Sequence, residues 1–581
     1  MRARAFKLSC IFICLLAGVM LVPVSGKTLA DPKLALLGTV ETGGRPGPLV
    51  SDVWAGHNEV IFFDELTDEV RFLDANWFKL ESSEIYLSSW EESWMAYDRY
   101  HHQAYVLTTH NRDTSCGFWD EAKVHVIAGN CLINTFSVND SFNTTNPCED
   151  PYYAPNGLAF KQPFSEGNNP GRLIIDNTKM GRIDVVDLNT AGYSSVRIQR
   201  YDYRDPVPGS GWSFNLGDSL ALEPKHETAT TDDLTTTDLL YISDKNEPTT
   251  YGWALHALQL NHPHPTDPLV VTPLSDVTVN SPPCGIGGCQ GIDIAGARDR
   301  LYVTTGNQSF QNGYMVEVNT RNNQVAQTIT MNYGDLYSVH ADWYDPKRVF
   351  AAIYDHWTYD PSHGLYLRLF YDGAVADTLL LTAPFTPTYI NTPSMVFDPY
   401  YRRLYITVNS KIYVVQVNYG AAPLAPPDYS ASAAIPSTGG KLIVPPQPTS
   451  SPSCYRTLLN FGSGSVDQST IVTYTETTHR QPGGELYGMR FFTLTAVISG
   501  TTTPVTSFDP PYILTANYSQ PEVGPIEENT LSLYRWASGQ WNDEGVFLDT
   551  TNNSLTDLLN HMSLFAILGE TNPVYLPLIL R

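Results

Sequence analysis

Basic residues are scarce: 35 Lys and Arg stand against 60 Asp and Glu in 581 residues, for a net charge of −25. A nucleic-acid binder needs a basic patch to neutralise phosphates, and no segment supplies one, so that class is excluded. Helical periodicity is scarce too. No long stretch keeps an apolar residue every three or four positions; the best short candidate is Ser554–Met562. After residue 30 no apolar run is long enough to cross a bilayer, which leaves no membrane span once the leader is removed. Also missing are a GxSxG elbow, an HExxH pair and a P-loop, so no familiar catalytic motif marks the chain.

What remains is rich in strand and turn formers. Tyr 34, Phe 23 and Trp 11 make 12% aromatics, with 41 Gly and 41 Pro. That balance predicts an all-β protein, and the length predicts two or more domains. Residues 1–30 read as a secretory signal: Arg2, Arg4 and Lys7 precede the apolar stretch Ile11–Val24, followed by small residues suited to cleavage. The expected location is therefore secreted or extracellular. Beyond the leader six cysteines remain, an even number that suits disulfides in an exported chain. Cys116 with Cys131 would staple a hairpin and Cys284 with Cys289 a tight loop, leaving Cys148 and Cys454. Their spacings do not fit a zinc finger.

The clearest local pattern is Ser394–Val417. An apolar strand closes on Asp398, a tight turn follows, then strand LYITV, a two-residue turn and strand IYVVQV. The same order recurs at Trp94–Thr109, Gly291–Gly306 and Ala341–Asp355, with variants at Asn156–Asn177 and Asp218–Asp244. A four-stranded sheet cannot bury both faces alone, whereas sheets packed radially bury one another. Residues 31–419 are thus expected to form a six- to seven-bladed β-propeller. An acid ending a first strand would hydrogen-bond the next turn. Leu34–Thr42 reads as a spare strand that completes the last unit.

This region resembles secreted bacterial six- and seven-bladed propellers. Pro155–Leu188 is similar to a blade of the gluconolactonase-like or NHL-type proteins, and Gly217–Leu260 to the yellow/royal-jelly family. Metal-dependent lactonase-like members hold a hard cation, calcium, on oxygen ligands at the channel mouth. The resemblance carries over to Asn156 in PNGLAF and Asp244 in YISD as candidate metal ligands. His101, His102, His262, His264 and His356 fall in expected loops or turns and read as surface histidines.

Residues 420–453, rich in Pro, Ala and Ser, read as a linker. Residues 454–569 read as a β-sandwich, with strands expected at STIVTYTE, MRFFTLTAV, YILTANY, TLSLYRW, EGVFLD and SLFAIL. This module resembles one appended to bacterial surface proteins, and also the autoproteolytic domain of adhesion receptors. The latter resemblance implies that His561 would deprotonate Ser563 for attack on the Met562 carbonyl. Residues 570–581, ending YLPLILR, resemble a C-terminal tail of exported bacterial proteins and suggest attachment to the cell envelope.

The expected function is a secreted or cell-surface binding and display module for an extracellular protein or polysaccharide. The alternative is a calcium-dependent propeller hydrolase or lactonase.

Overall fold

A computed structural model describes residues 33–571 with internal breaks, the longest at 139–156, 162–170, 189–196, 203–219, 224–237, 262–269, 281–288, 355–363, 383–392, 445–455 and 478–485. The expected leader, the YLPLILR tail, Asn156, Cys116, Cys148, Cys284 and Cys454 lie outside the described residues.

The chain is all-β. It opens with β1 (Leu34–Glu41), which leaves its sequence neighbours. Six sheets of antiparallel strands then follow in sequence order. They are β2 (Pro46–Trp54), β3 (His57–Asp64), β4 (Glu69–Asp74) and β5 (Lys79–Tyr86); β6 (Ser93–Asp98), β7 (Gln103–Asp113), β8 (Phe118–Ala128) and β9 (Cys131–Ser137); and β10 (Gly157–Lys161), β11 (Arg172–Asn177), β12 (Arg182–Asp187) and β13 (Arg197–Asp202). Next come β14 (Leu220–Glu223), β15 (Asp238–Thr249), β16 (Gly252–Asn261) and β17 (Val270–Pro273), with β18 (Val277–Asn280) also paired to β16. The last two are β19 (Cys289–Ala297), β20 (Arg300–Asn307), β21 (Asn312–Asn319) and β22 (Gln324–Asn332); and β23 (Asp335–Ala341), β24 (Arg348–Tyr354), β25 (Leu365–Tyr371) and β26 (Ala374–Leu380).

The seventh sheet is built from β27 (Met395–Asp398), β28 (Arg403–Val408) and β29 (Lys411–Val417), and β1 is its fourth strand. Leu34 pairs with Val417 and Glu41 with Lys411, so the spare strand expected at Leu34–Thr42 completes the last unit. Its first amide donates to Asp377 Oδ2 at 2.8 Å, on the neighbouring sheet.

Alternating apolar residues explain the stacking, because each sheet has two faces to cover. Val50, Ile61 and Phe63 pack on Ala104 and Val106 of the next sheet. Leu367 and Leu369 pack on Leu404 and Val415. Tyr405 and Val414 of the seventh sheet pack on Val60 and Phe62 of the first. The opening strands also neighbour one another in turn, from β2 to β6 and onward to β23 and β27, and β27 neighbours β2. Acids ending the first strands cap their turns as expected. Asp398 Oδ1 accepts the Tyr400 amide at 2.8 Å, and Asp98 and Asp342 do the same for His101 and Tyr344.

The C-terminal unit starts earlier than expected. Segment 420–453 is not a bare linker, for it carries β30 (Tyr429–Ile435) and β31 (Gly440–Val444). Its Ala and Ser residues alternate, so Tyr429, Ala431 and Ile435 face inward while Ser430 and Ser432 face water. The unit continues with β32 (Thr457–Phe461), β33 (Thr470–Glu476), β34 (Leu486–Ile498), β35 (Ser507–Asn517) and a four-residue helix α1 (Gln520–Val523). It ends with β36 (Ser532–Ala537), β37 (Gln540–Asp543), β38 (Phe547–Asp549), β39 (Ser554–His561) and β40 (Leu564–Glu570). The two sheets, ordered β30-β33-β34-β40-β36-β37 and β31-β32-β35-β39-β38, share one apolar core. All six strands expected here are present. The helix expected at Ser554–Met562 is instead strand β39, because pairing on both sides, with β35 and β38, overrides a weak local pattern.

Candidate functional site

The site grows from the first hairpin. Two residues separate Trp54 from His57, so β2 and β3 pair with Trp54 opposite His57 and Asp52 opposite Glu59. Side chains two apart on a strand share a face, so both pairs project the same way. The Asp52, His57 and Glu59 donor atoms all lie within 4.8 Å of one another. His57 Nε2 is 3.6 Å from Asp52 Oδ2 and 3.9 Å from Glu59 Oε2.

The neighbouring sheet orients this cluster from the β6–β7 turn. Asp52 Oδ1 accepts a short hydrogen bond from the Tyr97 hydroxyl and lies 2.9 Å from His102 Nδ1. His102 is buried, which corrects its reading as a surface histidine: the turn folds its ring inward, onto Trp54 and Tyr429. Trp54 stacks on His57 with ring centroids 3.8 Å apart, and it belongs to the apolar core of the C-terminal unit.

The second unit closes over the hairpin. Tyr429 meets the Trp54 ring at 5.3 Å, and the Arg456 guanidinium lies 5.8 Å from it. Ser519 Oγ donates to Glu81 Oε1 at 2.8 Å. Gly524 sits where a Cβ would be 2.7 Å from the Trp77 ring, at φ 59° and ψ −120°, a backbone only glycine adopts easily. Behind this seam lies a buried ionic network. Arg456 bridges Glu476 at 3.1 Å and Glu522 at 2.7 Å, and Arg490 reaches Glu522 at 3.0 Å.

These groups have unequal electrostatics. Burial alone would raise Asp52, but the charges and hydrogen bonds of His102 and His57 hold it below the usual carboxylate range. Burial, reinforced by the charges of Glu81, Asp52 and Asp74, pushes Glu59 well above that range despite Arg456. Burial also lifts Asp74 to about 6, against backbone hydrogen bonds from Trp77 and Asn76. In Glu522 burial is outweighed by Arg456 and Arg490, and the carboxyl falls to about 2. One imidazole and two carboxylates on one face are a donor set for a metal ion.

The site residues expected from sequence fare differently. Asp244 is in β15, where it pairs with Ala254. Cys131 opens β9 and is disulfide-bonded, whereas Cys289 opens β19. His561 ends β39, with Nε2 3.3 Å from Glu544 Oε2 and its ring stacked on Phe565. Its Nδ1 has no hydrogen-bond partner, so no hydrogen bond joins it to Ser563 as the autoproteolytic reading requires. The first strand of this unit, Pro46–Trp54, ends on Trp54 and not on an acid, so the repeat pattern does not mark the Asp52 hairpin. The available signal was the mirror arrangement D-x-W-x-x-H-x-E, which a two-residue turn folds into facing pairs.

No known protein family matches the chain, and no curated protein is similar to it in sequence. Among solved structures, the Kuenenia stuttgartiensis hydrazine synthase is 11% identical, with TM-score 0.31, covering 62% of this chain and 74% of that one. A chain of a mitotic checkpoint complex is 10% identical, with TM-score 0.38, covering 67% of this chain and 96% of that one.

Proposed function

We propose that residues 34–417 form a seven-bladed propeller capped by a β-sandwich, and that the exported protein binds and displays itself to an extracellular protein or polysaccharide. The observation that carries this reading is where the C-terminal unit sits. Trp54, Trp77 and His102 all lie in or beside turns that join first to second or third to fourth strands. In sheets packed radially those turns share one side, and the connections between successive sheets emerge on the other. The long connections 138–156, 203–219 and 381–394 carry Tyr152, Tyr153, Trp212, Phe214, Phe385 and Tyr389 in their sequence. Aromatic side chains suit both sugar faces and protein hot spots. A seam that covers one side leaves the other for a ligand.

The test is biolayer interferometry of the full chain against a panel of soluble polysaccharides and extracellular-matrix proteins. A binder whose affinity drops tenfold or more in Trp212→Ala or Tyr152→Ala supports the reading. Binding that survives both substitutions, or is absent across the panel, counts against it. Calcium-dependent lactone hydrolysis lost in Asn156→Ala would replace it with the enzymatic alternative.

A further inference from the structure

We propose that Asp52, His57 and Glu59 form a binding site for one divalent transition-metal ion of the zinc class. The donor set decides the class. One imidazole nitrogen with two carboxylate oxygens suits a borderline ion, whereas calcium takes six to eight oxygens. Ligands bound at 2.0–2.2 Å around a tetrahedral ion stand about 3.4 Å apart. The separations of 3.6 and 3.9 Å from His57 Nε2 to the two carboxylates are close to that edge.

A second observation is independent of the spacing. Glu59 is 4% exposed, yet none of the groups around it donates a hydrogen bond to its carboxylate. A buried carboxylate normally has donors or a counter-ion, because leaving it bare costs several kcal/mol. Of the charges that act on it, those of Glu81, Asp52 and Asp74 are of its own sign, and Arg456 alone opposes them. A cation between Glu59, Asp52 and His57 satisfies it.

The surroundings supply what metal ligands need. Asp52 Oδ1 is held by Tyr97 and His102, which leaves Oδ2 facing His57. Such outer partners fix the orientation of a ligating carboxylate. Trp54 covers one face of the His57 ring, and Trp54 is also the residue through which the hairpin enters the core of the C-terminal unit. An ion here would therefore fix the ring on which the seam packs. It goes beyond ligand display, since it lies on the side of the seam.

The experiment uses the full chain, stripped with chelator and titrated with ZnCl2 by calorimetry in excess MgCl2, which suppresses loose binding to an acidic surface. The expected result is one site with Kd below about 1 µM, weakened at least about 100-fold in Glu59→Gln. Glu59→Gln keeps the shape of the side chain, and an unchanged circular dichroism spectrum and melting point without metal show that it still folds. X-ray absorption of the zinc form should give a nitrogen and oxygen shell at about 2.0–2.1 Å with no sulfur. Absence of a one-to-one site, equal affinity in Glu59→Gln, or a sulfur shell would each overturn the assignment.

Discussion

Arg490 offers the sharpest test of how the C-terminal unit is held. It is fully buried, and its guanidinium donates to Glu522 Oε1 and Oε2 at 3.0 and 3.2 Å, to the Arg456 carbonyl and Thr457 Oγ1 at 3.1 Å, and to the Asn517 carbonyl at 2.8 Å. Arg490→Ala leaves Glu522 and Glu476 sharing one cation, Arg456, and takes a donor from Thr457 Oγ1 and from the Arg456 and Asn517 carbonyls. Removing one partner of a buried ion pair costs about 3–5 kcal/mol. Because a chain of two units need not unfold in one step, the assay is native-state hydrogen exchange at β33 and β34 amides in the full protein. Their opening free energy should fall by about 3–5 kcal/mol. Arg490→Met keeps the packing of the stem but not the donors, so it should recover less than half of that loss. Adding Glu522→Gln to Arg490→Met should cost less than the two changes summed, because the orphaned charge is gone. A loss below about 1 kcal/mol in Arg490→Ala, or full recovery in Arg490→Met, would refute the ionic account.

Four further outcomes follow from the structure. Glu522 is held at about 2, below its ordinary 4.5, so its stabilisation is present above pH 4.5 and is lost as pH falls towards 2. The shift corresponds to about 3 kcal/mol, and acid titration of the melting point should give a shallower slope in Glu522→Gln than in wild type. Burial raises Asp398 to about 6 despite amide hydrogen bonds from Tyr400 and Tyr401, so its ionisation destabilises the fold as pH rises from about 4 through 6. Asp398→Asn, which keeps the accepting oxygen, should flatten that part of the stability curve; an unchanged slope would contradict the assignment. Gly524→Ala should cost about 1–3 kcal/mol through its left-handed backbone and its approach to Trp77, and a melting point equal to wild type would show that the seam gives way freely. Deleting residues up to Glu41 bares the edge of β29 and should shift the protein to aggregates on size exclusion, whereas a stable monomer would show that the edge needs no cover.

Strand content and the repeating sheets were legible because an alternation of apolar residues, an acid and a turn is written locally. Met395–Val408 contains its own hairpin, and Asp398 its own cap. Where tertiary pairing decides, the sequence misleads. Ser554–His561 passes for a helix until β35 and β38 flank it, and the small residues of Tyr429–Ile435 pass for a linker until β33 pairs with them. The seam was illegible for a stronger reason. It joins residues 52, 57 and 59 to 97 and 102, then to 429, 456 and 522, and nothing local marks such distant partners. Even so, half of it, the facing pairs of the first hairpin, needed only the correct turn.

The pairing of β1 with β29 has a consequence in time. The Thr42 amide and side chain bind the Ser410 carbonyl, 368 residues further along. A ribosome adding about 5–20 residues per second delivers that partner roughly 20–70 s after Thr42 itself. For that interval the earliest β-strand has no mate, and the first sheet, complete by Tyr86, waits for the neighbour that covers its Val60–Phe62 face. Contacts so distant in sequence make closure slow. The nascent chain therefore gains most from a chaperone or an export channel that keeps Leu34–Glu41 apart from other exposed edges until Val417 has emerged.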